Sequence, residues 1–130
     1  MLKKAKWLIK EAQLRIIYMI SKDCIFCKII SGGIKSEILM ESENSVAFAD
    51  INPVAKIHIL IVPKKHIESV ETITNNDGTI LADMVDVARK LVIKHKISEY
   101  RLTFNGGKFQ HVPHLHMHLL AGSKIEWGKL

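Results

Sequence analysis

Four of the seven histidines in this 130-residue chain lie within eight residues, as His111, His114, His116 and His118. The last three alternate with apolar residues, and successive side chains of a β-strand point to opposite faces. The alternation therefore predicts a strand that presents three imidazoles on one face. Imidazole has an ordinary pKa near 6.5, so at neutral pH one ring can act as a nucleophile while its neighbours donate hydrogen bonds.

This division of roles suits attack on a phosphorus atom. We expect His116, the central ring, to attack, with its other ring nitrogen held in the correct tautomer by a backbone carbonyl. Flanking donors would stabilise the charge that builds on the equatorial oxygens, so catalysis would require no metal. Alternating histidines are also typical of zinc or copper sites, and the pattern alone leaves both interpretations open.

Two cysteines, Cys24 and Cys27, are the only ones in the chain. So few cysteines exclude a disulfide-scaffold domain, and their close spacing indicates metal or redox chemistry in a reducing compartment. We therefore expect a cytoplasmic location. A closed tetrahedral metal site needs two more ligands, which this motif by itself does not identify.

The charge of the chain is uneven. There are 19 basic and 13 acidic residues, but five of the basic residues and only one acidic residue fall within residues 1–18. We interpret residues 1–19 as a basic N-terminal extension without chemistry of its own, although an amphipathic surface helix is an alternative. Residues 20–130 then form one domain, with neither a nucleic acid nor a membrane as partner. No apolar run approaches the roughly 18 residues that a transmembrane helix needs.

Local patterns predict the elements that position these residues. A long helix is expected over about residues 79–95, because apolar residues recur there at spacings of three and four. Strands kept separate from one long helix favour an α+β fold with an antiparallel sheet. The other predicted elements are a short helix at 26–30 and strands at 38–40, 46–48, 57–63 and 100–104.

Residues 114–120, which read HLHMHLL, resemble the signature of the histidine triad (HIT) family. Residues 24–30, 47–53 and 58–67 resemble further blocks of that family in the expected order, so the resemblance covers about residues 20–128. It implies a five-stranded antiparallel sheet with one long and one short helix, and pairing into a homodimer.

Within the family the chain looks most like the Hint branch, the purine nucleoside phosphoramidases. His118 stands where the nucleotidyltransferase branch has glutamine, and Trp127 lies near the terminus. The resemblance implies hydrolysis of the P–N bond of a purine nucleoside 5'-phosphoramidate through a covalent nucleotidyl-histidine on His116. His118 would contact the phosphate and His114 would orient the site. The alternatives are dinucleoside polyphosphate hydrolysis and a nucleotide- or zinc-binding module with little turnover.

The same resemblance implies a binding site for an AMP-like purine nucleotide. Apolar side chains would form the purine pocket, Asp50 would bind the ribose hydroxyls with its two acceptor oxygens, and two amides would lie near the phosphate. Ordinary core packing is the alternative for the aromatic members. The predicted binding residues are Ile25, Phe26, Ile34, Phe48, Asp50, Ile51, Asn105 and Gln110.

Two departures from the family pattern precede the triad. The glycine-rich loop is shortened, and His111 takes the position of a hydroxyl residue that helps to protonate the leaving group in the family. His111 would replace that hydroxyl as general acid, or the change would weaken turnover or alter the preferred leaving group.

Cysteine-bearing relatives in the family imply a structural zinc ion. By the resemblance its ligands would be Cys24, Cys27, His58 and His114, and the alternative is a pair of reduced, packed thiols. His66 is interpreted as a surface residue.

Overall fold

The structure is a computed structural model that describes residues 23–125. The predicted extension at residues 1–19 and Trp127 lie outside the described residues. The described part forms two α-helices and five β-strands. In chain order these are α1 (Ile25–Ile30), β1 (Ile38–Glu41), β2 (Ser45–Ala49), β3 (Ile57–Pro63), α2 (Gly78–Lys94), β4 (Tyr100–Phe104) and β5 (Met117–Ala121).

All five strands join one antiparallel sheet in the order β1-β2-β3-β5-β4. This confirms the predicted α+β class, with one long and one short helix. Strand β3 lies at the centre of the sheet, with a partner strand on each side, and nearly all of its residues are buried. Its run of β-branched residues suits this position. Pro63 closes it, since proline has no N–H to donate to a ladder.

Helix α2 covers one face of the sheet. Its buried residues Met84, Val87, Ala88 and Leu91 pack on alternate residues of β2, β3 and β5. Leu115, Met117 and Leu119 belong to this core, as the alternation of the histidine segment predicted. The helical pattern also included Val85, which is instead 53% exposed.

The opposite face of the sheet packs against α1. Phe26 and Cys27 of the helix contact Val46 and Phe48 of β2 and Leu60 of β3 in a second core cluster. Helix α1 stops after one and a half turns, where Gly32 adopts a φ of 83° that favours glycine. The side chains that carry chemistry lie on this second face.

The histidine segment is less regular than predicted. Strand β5 begins only at Met117, so His118 is the one triad member within a strand. Pro113 cannot donate to a ladder, and the Leu115 amide donates instead to the carbonyl of Ile67, beyond the end of β3, at 2.6 Å. His114 and His116 therefore lie in an irregular segment that leads into β5.

Among residues 23–125, no helix combines the length and apolar character needed to cross a membrane.

Candidate functional site

The three triad histidines are all buried, but their rings belong to two different groups of residues. Their exposed fractions are 0% for His114, 6% for His116 and 5% for His118. The His114 ring contacts the two cysteines, whereas His116 and His118 line a cavity between α1 and the sheet. The predicted strand is shorter than expected, since β5 begins only at Met117. The predicted alternation of side chains holds, because the Phe26 ring of α1 packs against the rings of both His114 and His116.

The cavity has a volume of about 370 Å³. A larger hollow of about 950 Å³ lies between the loop after α2 and the end of β5, but none of the triad histidines lines it. Size alone therefore does not select the site. The residues lining the smaller cavity are Ile25, Phe26, Ile29, Ser36, Phe48, Ala49, Asp50, Ile51, Asn52, His58, Leu60, His111, Val112, His116 and His118.

Most of the predicted nucleotide-binding residues line this cavity. Ile34 does not, and it is 38% exposed in the segment after α1. Ile29 and Ser36, on either side of Ile34 in sequence, line the cavity and were not predicted. The sequence carried no signal for them, because the path of the chain between α1 and β1 decides which side chains reach the cavity.

Asn105 and Gln110 were both expected near the phosphate. The Asn105 amide nitrogen lies 3.4 Å from Nε2 of His118, so it does reach the edge of the site. Gln110 instead donates from its amide to the carbonyls of Glu68 and Val112, at 2.8 and 2.9 Å. Gln110 does not line the cavity. Its two hydrogen bonds stabilise the loop before the triad.

The nucleophile candidate is fixed in one tautomer. Nδ1 of His116 donates to the backbone carbonyl of His114 at 2.7 Å, so a neutral ring carries its lone pair on Nε2. This is the arrangement predicted from the sequence. Burial lowers the pKa of His116, with smaller opposing effects from the His114 carbonyl and Asp50, which favours the neutral, nucleophilic form. The Phe26 ring packs edge-on against it, with centroids 5.0 Å apart.

His118 lies beside His116, with ring centroids 4.8 Å apart. Burial, together with the neighbouring histidines His116, His58 and His111, lowers the pKa of His118 to about 3. The ring is therefore neutral at pH 7, so it can donate one hydrogen bond but carries no positive charge.

A second cluster joins both cysteines to two histidines. Sγ of Cys24 lies 3.3 Å from Nδ1 of His114, and Sγ of Cys27 lies 3.2 Å from Nδ1 of His66 and 3.4 Å from that of His114. All four ligand atoms lie within 4.8 Å of one another. Zn–S bonds near 2.3 Å and Zn–N bonds near 2.1 Å place tetrahedral ligands about 3.3–3.8 Å apart, which these contacts approach.

The chemistry of the four side chains also fits a metal. Nε2 of His114 donates to the carbonyl of Pro63 at 2.8 Å, which leaves the Nδ1 lone pair for the metal. Burial lowers the pKa of His114 to about 4, so the ring is neutral, as a ligand must be. These residues would hold a zinc ion of the Cys₂His₂ type, which would tie α1 to the sheet and play a structural role.

The predicted ligand set was wrong in one member, because His66 and not His58 joins the cysteines. Strands β3 and β5 run antiparallel with Leu60 opposite His118, so the His114 end of the segment faces the chain beyond the end of β3. His66 lies there, with its ring centroid 4.7 Å from that of His114. His58 lies near the opposite end of β3, within the cavity.

Known proteins share sequence and fold with this chain. The family model described as "Scavenger mRNA decapping enzyme C-term binding" matches residues 23–129. The adenosine 5'-monophosphoramidase HINT3 of Danio rerio is 38% identical over 106 residues, which cover 78% of this chain and 66% of that protein.

Solved structures are similar as well. A histidine triad protein from Clostridium difficile superposes with a TM-score of 0.78 at 40% identity, covering 82% of this chain and 96% of that one. A HIT family hydrolase from Legionella pneumophila Philadelphia 1 superposes with a TM-score of 0.76 at 41% identity, covering 81% and 97%. The chain therefore belongs to the histidine triad family, and it is a hydrolase of that family.

Proposed function

We propose that this protein hydrolyses the P–N bond of purine nucleoside 5'-phosphoramidates through a covalent nucleotidyl-histidine on His116. The observation that carries the proposal is the hydrogen bond from Nδ1 of His116 to the His114 carbonyl, which leaves a neutral Nε2 beside a cavity. The zebrafish relative, by its name, acts on an adenosine 5'-monophosphoramidate.

The reaction proceeds in two displacements at phosphorus. The Nε2 lone pair of His116 forms a bond to phosphorus while the bond from phosphorus to the substrate nitrogen breaks, and the leaving nitrogen takes up a proton. The His114 carbonyl stabilises the positive ring that results, because Nδ1–H still donates to it. Water then attacks phosphorus and gives up a proton, the P–Nε2 bond breaks, and AMP and neutral His116 are released.

Donors around His116 stabilise the charge on the equatorial oxygens. His118 and the Asn105 amide are adjacent, 3.4 Å apart, and together can donate to one phosphate oxygen. His111, an exposed residue of the cavity lining, is our candidate for the group that protonates the leaving nitrogen. An acid at the exposed edge of the site suits a leaving group that departs towards solvent.

The remaining cavity residues suit a purine nucleoside. Ile25, Phe26 and Phe48 offer an apolar surface for the base. Oδ1 of Asp50 accepts a hydrogen bond from the backbone N–H of Asn52 at 2.8 Å, which fixes the carboxylate. Its remaining lone pairs can accept hydrogen bonds from the ribose hydroxyls.

The first test follows AMP release from adenosine 5'-phosphoramidate by the purified full-length protein. His116→Ala should lose turnover and the nucleotidylated species seen by intact mass spectrometry. His95→Ala is the matched control, because His95 is exposed and does not line the cavity.

Turnover by a folded His116→Ala variant would contradict the assigned nucleophile. Cleavage of a dinucleoside polyphosphate but not of the phosphoramidate would favour the alternative hydrolase. Nucleotide binding with no product from either substrate would favour a binding module.

We also propose that Cys24, Cys27, His66 and His114 hold a structural zinc ion. Their sulfur and nitrogen contacts of 3.2–3.4 Å support it, and so does the combination of two thiols with two imidazoles, which zinc prefers. Two buried free thiols fit a reducing compartment, which supports the predicted cytoplasmic location.

The exposed edge of the sheet supports a homodimer. Strand β4 has a partner on one side only, and its apolar residues Tyr100, Leu102 and Phe104 are 48%, 39% and 40% exposed. An apolar edge strand of this kind pairs readily with another strand. We propose that a second copy of the chain covers it, which sedimentation or light scattering of the purified protein would test.

A further inference from the structure

His58 is a buried histidine of the cavity that the reaction described above does not use. It is 5% exposed and lies on β3. Its Nδ1 accepts the backbone N–H of Val54 at 3.1 Å. A backbone amide can only donate, so Nδ1 must carry a lone pair, and the neutral ring must carry its proton on Nε2. The surroundings of His58 therefore fix its tautomer.

The Nε2 proton of His58 has two acceptors within reach. Nδ1 of His118 lies 2.8 Å away, and Oδ2 of Asp50 lies 3.3 Å away. The shorter contact makes His118 the better acceptor. Nδ1 of His118 then carries a lone pair, and the single proton of that neutral ring is on Nε2. The Asn105 amide nitrogen, 3.4 Å from Nε2, can only donate, so it is a second donor beside the ring and not the acceptor of its proton.

We propose that His58 is a positioning residue that fixes His118 as the Nε2–H tautomer and so turns an N–H donor toward the phosphate. The order of hydrogen bonds is Val54 N–H to His58, His58 to His118, and His118 to the substrate. This inference rests on the proposed function for the identity of the substrate, but the tautomer itself follows from the hydrogen bonds alone.

A metal between these side chains is a competing explanation, because Asp50, His58 and His118 form a cluster of possible ligands. The contact between the two ring nitrogens, 2.8 Å, is the length of a hydrogen bond and shorter than the separation of about 3.3 Å between tetrahedral zinc ligands. A metal on Nε2 of His58 would also require a proton on Nδ1, which would face the Val54 N–H. The positions of the ring protons therefore favour the series of hydrogen bonds over a metal ion.

The tautomer of His118 decides whether its Nε2 presents an N–H or a lone pair to the phosphate. With the opposite tautomer, Nε2 of His118 would turn a lone pair toward an anionic phosphate oxygen and repel it. Because the charge on that oxygen grows in the transition state, loss of the fixed donor should lower kcat more than it changes KM.

The test uses the full-length protein with ¹⁵N-labelled histidine. Two-bond ¹H–¹⁵N spectra report which ring nitrogen of His118 carries the proton in wild type, in His58→Leu and in His58→Gln. The glutamine amide can donate to Nδ1 of His118, whereas leucine cannot. We expect the Nε2–H form in wild type and in His58→Gln, and a mixture of tautomers in His58→Leu.

With adenosine 5'-phosphoramidate, His58→Leu should lower kcat roughly 10- to 100-fold with little change in KM, and His58→Gln should recover much of it. An Nδ1 proton on His118 in wild type would overturn the proposal, as would a folded His58→Leu that keeps both the tautomer and kcat. If His58→Leu fails to fold, the wild-type spectrum and His58→Gln decide. Absence of phosphoramidate turnover in wild type would refute the proposed function and leave the tautomer result standing.

Discussion

The backbone carbonyl of His114 accepts the Nδ1 proton of His116 at 2.7 Å, while the His114 side chain faces the thiols of Cys24 and Cys27. One residue therefore belongs to the cysteine cluster through its ring and to the catalytic site through its main chain. Anything that displaces the His114 ring also moves the acceptor that sets the tautomer of the nucleophile. The cluster and the cavity are thus mechanically connected.

Removal of metal should therefore affect stability and turnover together. We expect one zinc ion per chain by elemental analysis, and a lower thermal midpoint and kcat after treatment with a strong chelator. Cys27→Ala should reproduce both effects, since it leaves three of the four ligands. The exposed variant His95→Ala should keep its metal. A purified protein without bound metal, whose midpoint does not change on adding zinc, would contradict the prediction.

The pKa of His118 predicts a loss of stability in acid. Burial lowers this pKa to about 3 in the folded protein, whereas the unfolded chain takes up the proton near pH 6.5. Below pH 6.5 the unfolded state binds more protons, so the free energy of unfolding should fall by about 1 kcal/mol per pH unit from this residue. Urea unfolding at pH 7 and pH 5 measures it.

His118→Gln removes the titrating group and should make this pH dependence shallower. His95→Gln, at an exposed position, should leave it unchanged. An identical pH dependence in wild type and His118→Gln would show that the histidine does not contribute.

We expect Asp50 to affect binding of the ribose and not the rate of the chemical step. We expect Asp50→Asn to raise KM for adenosine 5'-phosphoramidate by roughly tenfold, because an amide offers one acceptor oxygen where the carboxylate offers two. With a 2',3'-dideoxy substrate, wild type and variant should have similar KM values. An equal loss on both substrates would mean that Asp50 acts through His58, which lies 3.3 Å from Oδ2, and not on the ribose.

His111 should be needed only for leaving groups that require a proton. With an alkylamine leaving group we expect His111→Ala to lower kcat by about 10- to 100-fold. With a nitrophenolate ester of AMP, which departs without protonation, the loss should nearly vanish. Lys108→Ala, in the same exposed loop, serves as the control. Equal losses on both substrates would assign His111 to binding instead of proton transfer.

Much of the fold and part of the site could be predicted from the sequence. The pattern of spacings of three and four predicted helix 79–95, close to the observed Gly78–Lys94, because an amphipathic helix must turn one face to the core. The β-branched run at 57–63 likewise predicted the central strand. His116 was identified as the nucleophile candidate with a carbonyl at its second nitrogen, and the structure has that hydrogen bond.

The partners of the histidines were decided by tertiary structure. The sequence determined that thiols and imidazoles are present, but whether His58 or His66 reaches Cys27 depends on the antiparallel register of β3 and β5 and on the turn after Pro63. Local spacing carries no information about that register, since it is set by contacts between strands far apart in the chain. For the same reason only the folded chain brings Val54, His58 and His118 together in one directed series of hydrogen bonds.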